Sequence, residues 1–286
     1  WTPARTADVT GVPERSIYKA AELWGQAKSS FLLHARGIEH HSNGVQNALG
    51  AINLVLASGR IGKPKSGYGT IVGQANGQGG REHGQKCDQL PGMRDLANPE
   101  HRAHIAKVWE CDESEIPGKG IPAQEIIEEI HAGTIKGLLS ICFNPAVSSP
   151  DVNFTAEALD KLEFYAVIDF FLSESGQHAD IVLPCTMTLE REDIGATPTD
   201  PLVVAMHRIA EPHGLARDDY DIFCDLAERL GGLQAFSEGR DTRQWLAHLY
   251  ERTRAGLQAM GEEAPDFETF WQRGELLLPQ KDDDGG

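Results

Sequence analysis

The chain has 286 residues and a formal charge of -17, from 43 acidic against 26 basic side chains. A hydrophobic content of 40% supports one large or two ordinary globular domains, and the acidic balance excludes broad binding to a nucleic-acid backbone. No apolar run approaches the roughly 20 residues of a membrane helix, and Trp1-Thr-Pro-Ala-Arg5 lacks a basic-then-apolar leader pattern, so the expectation is a cytoplasmic chain without a membrane segment.

Taken in order, Thr10-Gly-Val-Pro13 opens a helix carrying Ile17, Ala20, Ala21, Leu23 and Trp24 at helical spacing. Ser30-Phe-Leu-Leu-His-Ala35 has strand length, and Arg36-Gly-Ile-Glu-His-His-Ser-Asn-Gly44 is a polar loop at its carboxyl end, where open α/β sheets place ligands. Val45 to Ser58 is amphipathic and stops at Gly59. His34, His40 and His41 invite a metal reading, but no Cys or carboxylate spacing completes a site, so hydrogen bonding to a ligand or to the loop is the better expectation.

After the apolar run Tyr68-Gly-Thr-Ile-Val72 come Gly73-Gln-Ala-Asn-Gly-Gln-Gly-Gly-Arg-Glu-His-Gly84, with five glycines among twelve residues. Glycine at this density lets backbone approach a ligand closely, and Gln74, Asn76, Gln78 and Arg81 add donors suited to amide, pterin or phosphate oxygens. The stretch reads as a cofactor wall. A linker is the alternative, although linkers favour Ser and Pro over carboxamides.

Asn98-Pro99 opens a helix to about Trp109, and Ala123 to Ala132 forms another. Ile135 to Phe143 is a buried strand running into Asn144-Pro145, followed by a helix from Phe154 to Leu162 and a strand from Phe164 to Ile168 that ends in Asp169-Phe-Phe-Leu-Ser-Glu-Ser175. His178 to Pro184 is a further strand, and the charged run Glu190 to Asp193 reads as a solvated loop. Helices follow from Asp218 to Leu230 and from Asp241 to Arg254. The alternation of helices with short apolar runs predicts an α/β fold, Rossmann-like, with parallel or mixed sheets flanked by helices.

Asn144 after one strand, and Asp169 with Ser173 after the next, make two polar strand ends. A carboxylate there can accept from guanine N–H groups or ribose hydroxyls, and small hydroxyls can donate to phosphate. The alternative is that Asp169 and Ser173 only cap the following turn. Cysteines 87, 111, 142, 185 and 224 are at least 24 residues apart, so there is no Cys-x-x-Cys centre. No Ser/His/Asp order, paired catalytic carboxylates or phosphate loop supports hydrolase or kinase chemistry.

Val9 to Pro13, Gly59-Arg-Ile-Gly-Lys-Pro64, Gly73 to Gly80, Asn144-Pro-Ala-Val-Ser-Ser-Pro-Asp151 and His178 to Pro184, in that order, resemble the molybdopterin oxidoreductases. Assimilatory nitrate reductases are the nearest likeness, and formate dehydrogenases a more distant one. The resemblance implies the central portion of a larger multidomain enzyme using molybdenum held by molybdopterin guanine dinucleotide. It also implies an iron-sulfur cluster in a domain upstream, an oxyanion substrate, and an electron-donor protein or domain. By the same carry-over, residues 1–75 end one α/β domain, residues 76–275 form a second that binds a guanine dinucleotide arm, and 276–286 are linker or tail. Gly73, Gln74 and Asn76 would line the pterin cleft, and Asn144, Asp169, Ser173 and Asp219 would contact a dinucleotide arm. No metal ligand is expected in this chain.

Two departures bear on substrate. Formate dehydrogenases carry Arg directly before the central Gly-Gln-Asn, where this chain has Val72. From Leu189-Glu-Arg-Glu-Asp-Ile194 to Phe236-Ser-Glu-Gly-Arg-Asp241 the chain is more similar to sulfoxide and amine N-oxide reductases. The expected activity is oxygen-atom transfer from nitrate, with sulfoxide, N-oxide or formate chemistry as alternatives. The competing classes are a non-catalytic nucleotide-cofactor module and an ordinary NAD-binding Rossmann protein.

Overall fold

A computed structural model describes residues 1–71, 80, 83–84, 86–197 and 200–279. Gly73, Gln74 and Asn76 lie outside the described residues. The chain divides into two compact units, Trp1–Gly77 and Gln78–Gly286.

In the first unit, helices span Pro3–Thr10, Glu14–Gln26 and Gly44–Ala57. Strands β1 (Phe31–His34) and β2 (Gly67–Thr70) pair in parallel, with Phe31 opposite Gly67 and His34 opposite Thr70. The turn between the second helix and β1 is held by buried Arg60, whose guanidinium donates to the carbonyls of Trp24 at 2.8 Å, Gly25 at 3.2 Å and Ala27 at 2.9 Å. Carbonyls that a helix end leaves unpaired are thereby satisfied by a cation, which the helix dipole favours.

In the second unit the two-residue strands β3 (Gln89–Leu90) and β4 (Arg94–Asp95) are antiparallel to each other. The helix Pro99–Trp109 follows, with Asn98 accepting from the Glu100 amide at its start and Pro in the first turn, as the sequence predicted. The helix Ala123–His131 leads into β5 (Gly137–Ile141), the helices Pro145–Ser148 and Val152–Leu159, β6 (Phe164–Asp169), the turn of helix Glu174–Gln177, and β7 (Ile181–Pro184). These three strands form a parallel sheet in the order β5-β6-β7, with Ile141, Ile168 and Leu183 level with one another. Central β6 is buried, as a strand covered on both faces should be, and Leu159, Tyr165 and Val167 pack with Ala146 on one side of it.

Beyond β7 the chain leaves the Rossmann pattern. β8 (Asp193–Thr197), β9 (Asp200–Met206) and β10 (Glu275–Leu277) form an antiparallel sheet in the order β10-β9-β8. Helices Asp219–Arg229, Leu233–Ser237, Thr242–Ala259 and Phe267–Arg273 intervene between β9 and β10. Val203, Leu246, Tyr250, Phe267, Phe270 and Trp271 make its core, with the Tyr250 and Phe270 rings stacked 4.3 Å apart. Within the stretch 276–286 expected as linker or tail, Leu276 pairs with Val203 and packs on this core. The expected mixed α/β architecture is present, and its antiparallel part is the portion the helix and strand alternation did not indicate.

Candidate functional site

The carboxyl ends of β5, β6 and β7 gather the polar residues. Asn144 follows β5 and is locked in place: its Oδ1 accepts from the Ser175 amide at 3.1 Å and from Ser175 Oγ at 2.6 Å, and its Nδ2 donates to Glu174 Oε2 at 2.8 Å. Ser175 is fully buried and accepts from the Ala146 amide at 3.0 Å. The Asn144 amide holds the Glu174 carboxyl below the usual carboxylate range.

Asp169 ends β6, level with Pro184 of β7, and its Oδ1 accepts from the Phe170 amide at 2.8 Å. Ser173 caps the short helix after it, accepting from the Gly176 amide at 3.3 Å. Both residues thus make the local caps that the residue types allow. These caps use one Asp169 oxygen and leave the Ser173 hydroxyl proton free to donate.

Around Asp169 lies a second group, whose members are far apart in the sequence. Cys142 stands past β5 with φ of 48°, and its amide donates to the Ile168 carbonyl at 2.9 Å. Cys185 follows β7, is buried, and its amide donates to the Asp169 carbonyl at 3.3 Å. The two thiols interact with each other electrostatically. Burial, with the charges of Asp219 and Asp169 added, pushes both upward, Cys185 to about 12. They are protonated at neutral pH and inert as nucleophiles.

Asp219 starts the helix Asp219–Arg229, and its Oδ2 accepts from Arg191 Nη1 at 3.3 Å. Its Oδ1 is buried without a hydrogen-bond partner, as are Arg191 Nε and Thr186 Oγ1. Burial pushes the Asp219 carboxyl above its ordinary value, against the pull of Arg191. The run Glu190 to Asp193 is therefore not a solvated loop: Glu190 closes a short helical turn, Arg191 reaches Asp219, and Asp193 begins β8.

Thr186 and Arg191 line a cavity of about 500 Å³, together with Arg217, Asp218, Asp221 and Arg243. Thr186 Oγ1 and Arg191 Nε belong to lining residues of this cavity, whereas Asp219 does not line it and reaches the group through Arg191. Among the described residues no group of three or more His, Cys, Asp or Glu side chains is placed to hold a metal ion. The structure thus connects Asn144 with Glu174 and Ser175, and Asp219 with Arg191. Asp169 and Ser173 stand at the same sheet edge.

The chain is 48% identical over 252 residues to the assimilatory nitrate reductase catalytic subunit of Bacillus subtilis (strain 168), covering 88% of this chain and 35% of that protein. It is 31% identical to a nitrate reductase of Synechocystis, over 81% of this chain and 32% of that protein. It is also 31% identical to the dimethyl sulfoxide/trimethylamine N-oxide reductase of Rhodobacter capsulatus, over 96% of this chain and 34% of that protein. The chain thus spans about a third of the length of these relatives. Among solved structures, acetylene hydratase from Pelobacter acetylenicus shares the fold, with a TM-score of 0.59 at 18% identity over 98% of this chain and 39% of that one. The family model for molybdopterin oxidoreductases matches residues 18–229, and the chain belongs to that family.

Proposed function

We propose that this chain is the central, dinucleotide-binding part of a molybdenum reductase that removes an oxygen atom from nitrate. Family membership implies a molybdenum–pterin cofactor. The observation that carries the nitrate assignment is the 48% identity to an assimilatory nitrate reductase catalytic subunit. The matches to sulfoxide and N-oxide reductases, at lower identity, support those oxides as the second reading.

The side chains of the second unit suit the guanine dinucleotide form of the cofactor. Buried Asp219 Oδ1 can accept from the guanine ring N–H and amino group, Arg191 Nε can donate to the guanine carbonyl, and Thr186 Oγ1 can serve either role. Asp169, with one oxygen free of the Phe170 amide, suits ribose hydroxyls, and Ser173 can donate to a phosphate oxygen. Asn144 has one amide hydrogen left beyond Glu174. We assign residues 76–275 to this arm and residues 1–75 to the end of the domain beside it, with Gly73, Gln74 and Asn76 on the pterin.

When bound, the cofactor supplies the two-electron redox chemistry of oxide reduction. What this chain contributes is orientation: the sheet edge fixes Asp169 and Asn144 through backbone bonds, and the Arg191–Asp219 pair presents a fixed acceptor. Nitrate, two protons and two electrons yield nitrite and water, the electrons coming from a donor protein or domain in the cytoplasm.

Two measurements test the reading. Calorimetry of the folded chain with GDP should show binding; a well-folded chain that binds no GDP overturns the guanine arm. The intact protein, assayed with a reduced viologen dye against nitrate, a sulfoxide and an amine N-oxide, should reduce nitrate with the highest kcat/KM.

A further inference from the structure

The parallel sheet of the second unit is covered unequally on its two faces. Residues paired across a parallel ladder point to the same side. The register therefore puts Leu139 and Ile141 of β5, Phe164 and Ile168 of β6, and Ile181 and Leu183 of β7 on one face. The opposite face carries Leu138, Tyr165, Val167 and Val182, which pack with Ala146 and Leu159 of the two helices between β5 and β6.

On the first face the helix Asp219–Arg229 covers the carboxyl end, where its Ile222, Phe223 and Leu226 pack with Ile168, Leu183 and Cys185. Beyond that end the face is open. Leu139 and Ile141 are each 42% exposed, Phe164 49% and Ile181 46%. These four large apolar side chains make one patch that runs along β5 and crosses the first residues of β6 and β7.

Layering decides what fits there. Parallel sheets bury both faces under helices, and one such helix already lies on this face. With strands about 4.8 Å apart, β5 to β7 spans about 10 Å, the width of one helix with its side chains. A second copy of the chain is the poorer occupant, because a stable dimer buries about 800 Å² per partner, more than four half-exposed side chains supply. The chain spans about a third of the length of its relatives.

We propose that this face docks one amphipathic helix from a part of the same polypeptide outside residues 1–286. The helix lies beside Asp219–Arg229 and buries Leu139, Ile141, Phe164 and Ile181 under apolar residues spaced three and four apart. The proposal rests on the reading of the chain as the central part of a larger reductase.

A photoreactive p-benzoylphenylalanine placed in the intact protein at Leu139, and separately at Phe164, should cross-link on illumination to one peptide outside residues 1–286, identified by mass spectrometry and apolar at helical spacing. Hydroxyl-radical footprinting needs no substitution and gives a second reading. In the intact protein Leu139, Ile141, Phe164 and Ile181 should be oxidised as slowly as Ile168, which is fully buried. A cross-link to another copy, to a different protein or to residues 1–286 themselves overturns the proposal, as does oxidation of the four side chains at a rate near that of the unfolded protein. An intact protein that gives the expected cross-link and protection, yet reduces neither nitrate, a sulfoxide nor an amine N-oxide, keeps the docking surface and fails the reductase reading instead.

Discussion

Ser175 Oγ donates to Asn144 Oδ1 at 2.6 Å while accepting from the Ala146 amide at 3.0 Å, so one buried hydroxyl ties the end of β6 to the residues that follow β5. Ser175→Ala leaves a buried amide and a carboxamide oxygen short of partners. Such a loss costs about 1–3 kcal/mol. The expected outcome is a urea midpoint lowered accordingly, with the Glu174 carboxyl titrating closer to its ordinary value as Asn144 becomes free to turn away. Denaturant melts and carboxyl NMR titration check the two parts separately.

The thiol pair gives an alkaline prediction. Folding raises the Cys185 pKa from 9.0 to about 12, so the folded state binds this proton more tightly than the unfolded chain. The associated stability is fully present below pH 9 and is lost as pH rises toward 12. Cys142 is raised in the same direction. Chain stability should therefore fall across that window, and Cys185→Ala should flatten the fall. In thiol labelling at pH 7, Cys185 should react only on unfolding, since it is both buried and protonated.

What was legible in the sequence follows from how local each signal is. The helix at Pro99 announces itself through Asn98-Pro99, and β6 through five consecutive residues, Phe164 to Ile168, of strand-forming and apolar character. The helix Phe267–Arg273 is not legible in the sequence, because its seven residues, Phe-Glu-Thr-Phe-Trp-Gln-Arg, are too few to establish a period. β10 is not legible from sequence, since three residues carry no pattern and its partner β9 lies some 70 residues earlier. The site divides in the same way. Asn144 and Asp169, past and at strand ends, and Ser173, capping the next helix, are proposed contacts whose positions a strand reading alone can locate. Arg191 sits in a charged run, and only the fold brings it to Asp219, 28 residues away.

Gly44 offers a steric test of the loop that faces His34. A Cβ placed there meets the Glu39 carbonyl oxygen at 1.9 Å, which no side-chain movement relieves because the clash is with backbone. Gly44→Ala must displace the segment around Glu39. The expected cost is about 1–3 kcal/mol, in the range of overpacked sites. An alanine variant with parental stability would show that the loop relaxes without strain.

Asp219 links the cofactor assignment to pH. Its folded pKa lies above 3.8 because burial outweighs the Arg191 charge, so the protonated carboxyl is the better-tolerated form in the free chain. The stability this contributes is complete below pH 3.8 and is lost as pH rises through the raised folded value. A guanine edge offering two N–H donors binds the ionised form. GDP affinity should therefore increase with pH through that same value, with proton release visible in calorimetry as a dependence of heat on buffer. Asp219→Asn removes the titrating group while keeping its shape. It should abolish both pH dependences, and lower GDP affinity at neutral pH by roughly tenfold to a hundredfold, the value of a hydrogen-bonded charge. Arg191 keeps a carboxylate neighbour in Asp193 at 3.8 Å, so the variant should still fold. A folded Asp219→Asn chain that binds GDP as the parent does would transfer guanine recognition from Asp219 to the free oxygen of Asp169.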